Sequence, residues 1–411
     1  MGTIMSRKNA VVIGIAVLSC VSVAAVAADK RKPPPTVYWL TAQTGGFAAG
    51  GAGGADMAAQ MMAGGGGGPR KYLDLRLGST LAVAPAEAAD HTIPPALNMG
   101  ASLPLLPVTR AVSSYEDGQP PQKPKGRILV YWGCSKEVRP GQPKIIDFAR
   151  PESGAFWAGG YHGGATGPTP SWKTFRQWPN KESGKAVPGD ASLAGDHVVK
   201  AGSLPDIRFS VPADRDFLPA VHLRQSDGSK ATSVGLAWGS VAGATGYFAQ
   251  ATGAKSGGTD MVIWSSSETP EPGWGLVMGY PSQGEVASLI KKQVVLPPET
   301  TSCSIPTGIF AEAEGAAVQF AAFGAELNLD HPSAPTDPDW AVKLRRKAMA
   351  MLMVDVGSMD DMMSGQGGSS PGKHKPGASP ACDGEGSNCG GTPSPLDAVP
   401  GGGLLKGLFG N

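Results

Sequence analysis

Along this chain, apolar positions alternate with polar ones more often than they recur at helical spacing. "KYLDLRLGS" sets Leu73, Leu75 and Leu77 against Asp74 and Arg76, a period of two that puts the leucines on one face of a strand. "TVYWLTAQT", β-branched and aromatic after a proline run, predicts a strand over Val37–Thr44. Between them, the Gly/Met-rich stretch 45–69 carries too little side-chain surface to pack. The pair therefore reads as one hairpin with an insertion at its tip. Residues 80–125 are punctuated by proline and extended. Ile128–Trp132 and Lys144–Phe148 then flank a turn at Pro140-Gly141. From residue 204, strand-like stretches follow at short spacing: "IRFSVPADRDFLPAVHL", "TSVGLAWGSV", "GYFAQATGA", "DMVIWSSS", "WGLVMGY", "TTSCSIP", "AAVQFAAFG" and "AELNL". "LVYWGCSKEVRPG" and "MVIWSSSETPEPG" form a faint internal repeat, each with Trp (Trp132, Trp264) a fixed distance before Pro-Gly.

Two stretches predict helices. In "PSQGEVASLIKK", Ser282 and Glu285 form a capping box, and Val286, Leu289 and Ile290 share a face. Over 337–354, Asp337 suits the cap and Pro338 the first helical position. Trp340, Leu344, Ala348, Met351 and Leu352 then form an apolar stripe. Its basic neighbours Lys343, Arg345, Arg346 and Lys347 read as the solvated face of a docked helix, or as a contact for anionic lipid or polysaccharide. The expected fold is mainly β. It has two β-sandwich-like domains (28–203 and 204–331), one C-terminal amphipathic helix, and disordered Gly-rich segments at 45–69 and 355–411.

"LAWGSVAGATGYFAQATGA" (Leu236 to Ala254) resembles the B-to-C strand region of a fibronectin type III domain. "LPPETTSCSIPTG" is similar to strand E of that family, and "AAVQFAAFGAELN" to its strands F and G. The resemblance covers roughly residues 204–331 and implies that Trp238 and Tyr247 are core residues. Two features depart from the family. Val318 and Phe320 stand where a strand-F Tyr is expected, and the insertion from Gly273 to Lys292 is large. Such domains are mostly spacers and binding modules, so the resemblance assigns no ligand.

The N-terminus changes the picture of location. Arg7 and Lys8 precede an apolar run from Ala10 to Ala27 that closes on Ala25-Val26-Ala27, the pattern of a secretory signal peptide cleaved after Ala27. An uncleaved anchor and a lipobox at "VLSC", with lipid on Cys20, are the alternatives. An exported chain is then periplasmic or extracellular, or lipid-anchored in the envelope. Export permits disulfides. The short loop of "CDGEGSNC" makes Cys382–Cys389 the expected pair, and the sequence decides nothing for Cys134 and Cys303. With 35 basic and 34 acidic residues, the charge balance gives no pull toward nucleic acid.

Chemistry is thinly marked. The six His are scattered, and neither a zinc-protease, a serine-hydrolase nor a phosphate-loop motif is present. No cofactor is expected. Asp214, Asp216 and Asp260 would make a hydrolase only if the fold brought a pair of them together. Six aromatic residues crowd "FWAGGYHGGATGPTPSWKTFRQW": Phe156, Trp157, Tyr161, Trp172, Phe175 and Trp178. On a Gly/Pro-rich loop such rings can make a flat platform for sugar faces, with Lys173 or Arg176 bonding hydroxyls. Alternatively, they cover one face of the first domain. Met57, Met61 and Met62, with Met359, Met362 and Met363, form two clusters of soft thioethers that suit Cu(I) or simply fill loose segments. The function expected is an exported, non-enzymatic binding or structural protein of the cell envelope, contacting polysaccharide or another envelope protein. An exported hydrolase and a copper binder are the alternatives.

Overall fold

A computed structural model of the chain describes residues 32–45, 70–84, 87–107, 126–150, 161–165, 167–255, 259–331 and 339–354. In chain order its strands are β1 (Thr36–Thr44), β2 (Lys71–Ser79), β3 (Ala89–Thr92), β4 (Ser102–Pro104), β5 (Arg127–Trp132) and β6 (Lys144–Asp147). β7 (Thr174–Trp178), β8 (Gly195–Ala201), β9 (Ile207–Val211), β10 (Arg224–Asp227), β11 (Val234–Ala237), β12 (Ala244–Ala254) and β13 (Met261–Ser265) follow. After helix α1 (Gln283–Lys291) come β14 (Ser302–Ile305), β15 (Ala316–Gly324), β16 (Leu327–His331) and β17 (Trp340–Val354).

Ten strands form one sheet in the order β6-β5-β13-β12-β15-β17-β1-β2-β7, with β16 also pairing β17. Strands from both sides of residue 203 contribute to it. The hairpin expected from the leucine alternation is β1·β2, in register Thr36↔Ser79 to Thr44↔Lys71. The two halves of the faint repeat lie side by side: β5 runs parallel to β13, with Tyr131 opposite Trp264.

The expected C-terminal helix is instead β17, near the middle of the sheet. It is parallel to β1 over Trp340–Ala348 and antiparallel to β15 over Lys347–Val354. The misreading has a simple origin. Positions 340, 344, 348 and 352 are four apart, which marks one face of a helix and equally one face of a strand. The basic residues give no solvated face either: Arg345, Arg346 and Lys347 are 8%, 4% and 0% exposed. "WGLVMGY" also departs from expectation. It forms turns rather than a strand, with Gly275 at φ +83°, where a strand residue cannot sit.

Two small sheets, β4-β3-β8-β9 and β10-β11-β14, pack on the same face of the large one. Tyr38, Leu40, Leu75, Leu77 and Leu344 meet Val199, Ile207 and Phe209 in the first core. Tyr247, Val318 and Phe320 meet Val234, Leu236 and Ile305 in the second. Trp238 packs there, 4.7 Å from the Phe320 ring and 5.9 Å from that of Tyr247. The seam between the cores falls at Phe217 and Leu218, which enter one core each. Arg346 sits at this seam, donating to the Asp216 carbonyl at 2.7 Å and the Ala325 carbonyl at 3.0 Å.

Inside the first core, a polar chain is fully buried. The Leu193 carbonyl can only accept, so His197 donates to it from Nε2 at 2.8 Å. His197 Nδ1 must then accept from His91 Nε2 at 2.9 Å, and His91 Nδ1 from the Tyr38 hydroxyl at 2.8 Å. One carbonyl thus fixes the tautomers of two imidazoles. Burial lowers the pKa of both histidines.

A disulfide between Cys134 and Cys303 ties the end of β5 to β14 across 169 residues. Cys382 and Cys389 lie outside the described residues. By loop closure a bridge of this span contributes about 2–5 kcal/mol.

Two outcomes follow. The Cys134→Ser/Cys303→Ser double variant should unfold in urea with about 2–5 kcal/mol less stability; a loss under about 0.5 kcal/mol would remove the bridge from the list of structural ties. In ring-nitrogen NMR at neutral pH, His91 and His197 should both be neutral with Nε2 protonated. Their depressed pKa values make their contribution complete above about pH 6.5 and progressively lost as pH falls below it.

Candidate functional site

Among the described residues, the second face of the large sheet is covered by irregular chain and α1. Ser282 caps α1 by accepting from the Glu285 backbone N–H at 3.2 Å. Val286 and Leu289 bury against Phe248, Ala321, Phe323 and Met349 of the sheet, with Leu276 and Val277 from the preceding turns. Alongside, a strap is formed by residues 161–165 and 167–172. It crosses β17 where Ala165 accepts from Arg345, β1 where Gly167 lies on the Trp39 ring, and β2 where Gly78 admits Pro168 and Trp172. A Cβ at Gly78 would stand 2.5 Å from the Pro168 Cβ, so only glycine lets the strap lie this close. The strap is stitched to the turns before α1. His162 N–H donates to the Trp274 carbonyl at 2.7 Å, and Tyr280 N–H to the Gly163 carbonyl at 2.9 Å.

Beneath this cover, Lys343, Arg345 and Lys347 of β17 alternate with the rings of Trp39 from β1 and Tyr280 from the turns above. Lys343 Nζ lies 5.3 Å from the Trp39 ring centre, and the Arg345 guanidinium 4.6 Å from the same ring. Arg345 is 4.9 Å from the Tyr280 ring, which has Lys347 Nζ at 4.3 Å. Each such contact contributes about 0.5–2 kcal/mol. The parallel register makes the row, because Trp39 is paired with Lys343, Thr41 with Arg345 and Gln43 with Lys347. Arg345 donates to Thr41 Oγ1 at 2.8 Å, and the Tyr280 hydroxyl donates to Gln43 Oε1 at 2.9 Å. Lys347 donates to the Val277 and Gly279 carbonyls at 2.8 and 3.1 Å. Among the described residues no carboxylate pairs with Arg345, Arg346 or Lys347. Burial, with repulsion from Arg345, pushes the Lys347 ammonium down to about 7.

At the edge of the cover, His162 lies between two carboxylates. Its Nδ1 meets Glu285 Oε1 at 2.9 Å, and its Nε2 meets Glu271 Oε1. The ring is 13% exposed, the two carboxylates about 30% each. Desolvation opposes its charge, but the hydrogen bonds and charges of Glu271 and Glu285 outweigh it and raise the pKa. The partners of His162 come from 109 and 123 residues away, and a single sequence carries no signal for that.

Of the six aromatic residues, the four described differ in exposure. Trp178 is 1% and Phe175 7% exposed, both buried. Trp172 is half-buried at the β2 end of the strap. Tyr161, at the other end, is 69% exposed. Arg176 is buried, donating to the Ala84 carbonyl, and Lys173 is exposed. Phe156, Trp157, Cys20 and the six clustered methionines (57, 61, 62, 359, 362 and 363) lie outside the described residues. The three aspartates stay apart in role. Asp214 pairs with Arg215, Asp216 accepts from Ser192 and the Leu193 N–H, and Asp260 pairs with Arg127. Asp260 also helps line a cleft of about 540 Å³ with Lys230, Lys255 and Glu312, where Lys255 and Glu312 pair at 2.7 Å.

No protein-family model matches the sequence, and no curated protein is similar to it.

The lowered Lys347 pKa carries a sign. The folded state resists the proton, so the group's contribution is complete above about pH 10.5 and is lost as pH falls toward 7. Between pH 7 and 9, wild type should gain about 2 kcal/mol more unfolding free energy than Lys347→Met does. Equal slopes in urea titrations would show that Lys347 does not titrate in this range.

Proposed function

We propose that this protein is an exported, non-enzymatic binding or structural component of the cell envelope, contacting polysaccharide or a neighbouring envelope protein. The observation that carries the reading is Tyr161, an aromatic ring 69% exposed and seated on a strap whose backbone is bonded to the turns below. A pre-positioned ring loses little freedom when a sugar face stacks on it. Export is supported by the Cys134–Cys303 disulfide, since such bonds persist in oxidising compartments.

The β10-β11-β14 sheet packs on β13-β12-β15-β17, an arrangement that supports the fibronectin type III-like reading of 204–331. The last of these strands comes from beyond residue 331 and is shared with the first core. On this reading the sandwich is the rigid support and the strap is the contact surface.

Sedimentation with insoluble envelope polysaccharide tests the proposal. Tyr161→Ala should keep the wild-type urea midpoint and lose retention, with Trp172→Ala showing a smaller loss. Trp178→Ala should instead lose about 3–5 kcal/mol of stability, as a buried ring does. Unchanged retention of Tyr161→Ala would remove the strap as the contact.

A further inference from the structure

We propose that Glu271, His162 and Glu285 form a pH-sensitive latch that holds the Tyr161 end of the strap closed in acid and releases it as pH rises. The geometry carries this. The two imidazole nitrogens face two carboxylates, which only accept when ionised. An imidazolium donates from both nitrogens and satisfies both partners. A neutral imidazole has one donor and one lone pair, so one carboxylate is left facing that lone pair. Glu271 and Glu285, each about 30% exposed, have water within reach and swing out to it.

The latch joins three separate pieces of chain: the strap at His162, the turns before α1 at Glu271, and the first turn of α1 at Glu285. The charged groups facing His162 are these two carboxylates, from the turns and from α1. Below the same cover, β17 adds Arg345 and Lys347, which face Tyr280. The raised His162 pKa fixes the direction: the tie is complete below about pH 6.5 and lost as pH climbs through the higher folded value. The latch concerns the strap's own closure and does not depend on what Tyr161 contacts.

Hydrogen exchange of the full chain tests it, read at the His162 and Tyr280 amides, which are bonded to the Trp274 and Gly163 carbonyls. After correction for intrinsic rates, protection at these two amides should fall between pH 6 and 9, in the direction the raised His162 pKa sets. β1 and β17 amides serve as the internal reference: the titration of Lys347 raises their protection over this range, opposite in sign to the fall expected at the strap. His162→Gln, which has no titration in this range, should show pH-independent protection at the Tyr280 amide. Glu285→Gln is the sharper variant. Its carboxamide can donate to the neutral ring while Glu271 still accepts, and the backbone cap at Ser282 is untouched. It should stay protected up to pH 9. Wild-type protection that does not move with pH overturns the proposal. So does a Glu285→Gln chain that opens as wild type does.

Discussion

The fold hangs on the parallel register between Thr36–Thr44 and Trp340–Ala348. β17 is the only strand of the described residues that touches both cores: Val342 and Leu344 enter the first, and Ala348 and Val354 the second. With β1 on one side and β15 and β16 on the other, it makes a single sheet out of what would otherwise be two. The cost of this position falls on Arg345, Arg346 and Lys347, which the register buries. A buried cation without a partner is costly. Here carbonyls, hydroxyls and ring faces take the place of carboxylates.

That substitution explains why the cover layer has the shape it has. Carbonyls able to reach Lys347 and Arg345 must come from chain that is not already bonded within a helix or strand. Turns and a strap provide them at Val277, Gly279 and Ala165. Regular structure is kept to α1, which lies over the apolar part of the face around Phe248 and Phe323. The division between irregular and helical cover follows the division between cationic and apolar residues beneath.

Much of the β architecture could be read from period-two patterns, because those patterns are local. Leu73, Leu75 and Leu77 gave away β2, and its pairing with β1 followed from the insertion between them. Ser282 and Glu285 marked the start of α1 correctly. The 340–354 segment misled because its apolar spacing fits both periods and its Ala, Leu, Met, Lys and Arg content favours helix, a preference that sheet pairing overrides. The candidate site was less visible. Phe175 and Trp178 are indistinguishable in sequence from Tyr161, yet they lie on β7 and in its packing while Tyr161 stands clear. The His162 triad, the His91–His197 chain and the Cys134–Cys303 bridge all join residues more than a hundred positions apart, and nothing local announces them.

The parallel pairing of β1 with β17 also sets an order of events. β1 is among the first segments of the described fold to be synthesised and β17 the last, and the pairing that joins the two halves of the sheet needs both. Contacts of such long separation must wait for the loop between them to close, which slows folding and leaves strand edges bare in the interval. Until β17 arrives, β1 and β15 each present an unpaired edge. This protein therefore has a stage at which nearly all of its strands exist and its main sheet does not, and a chain that stops short of β17 would remain there.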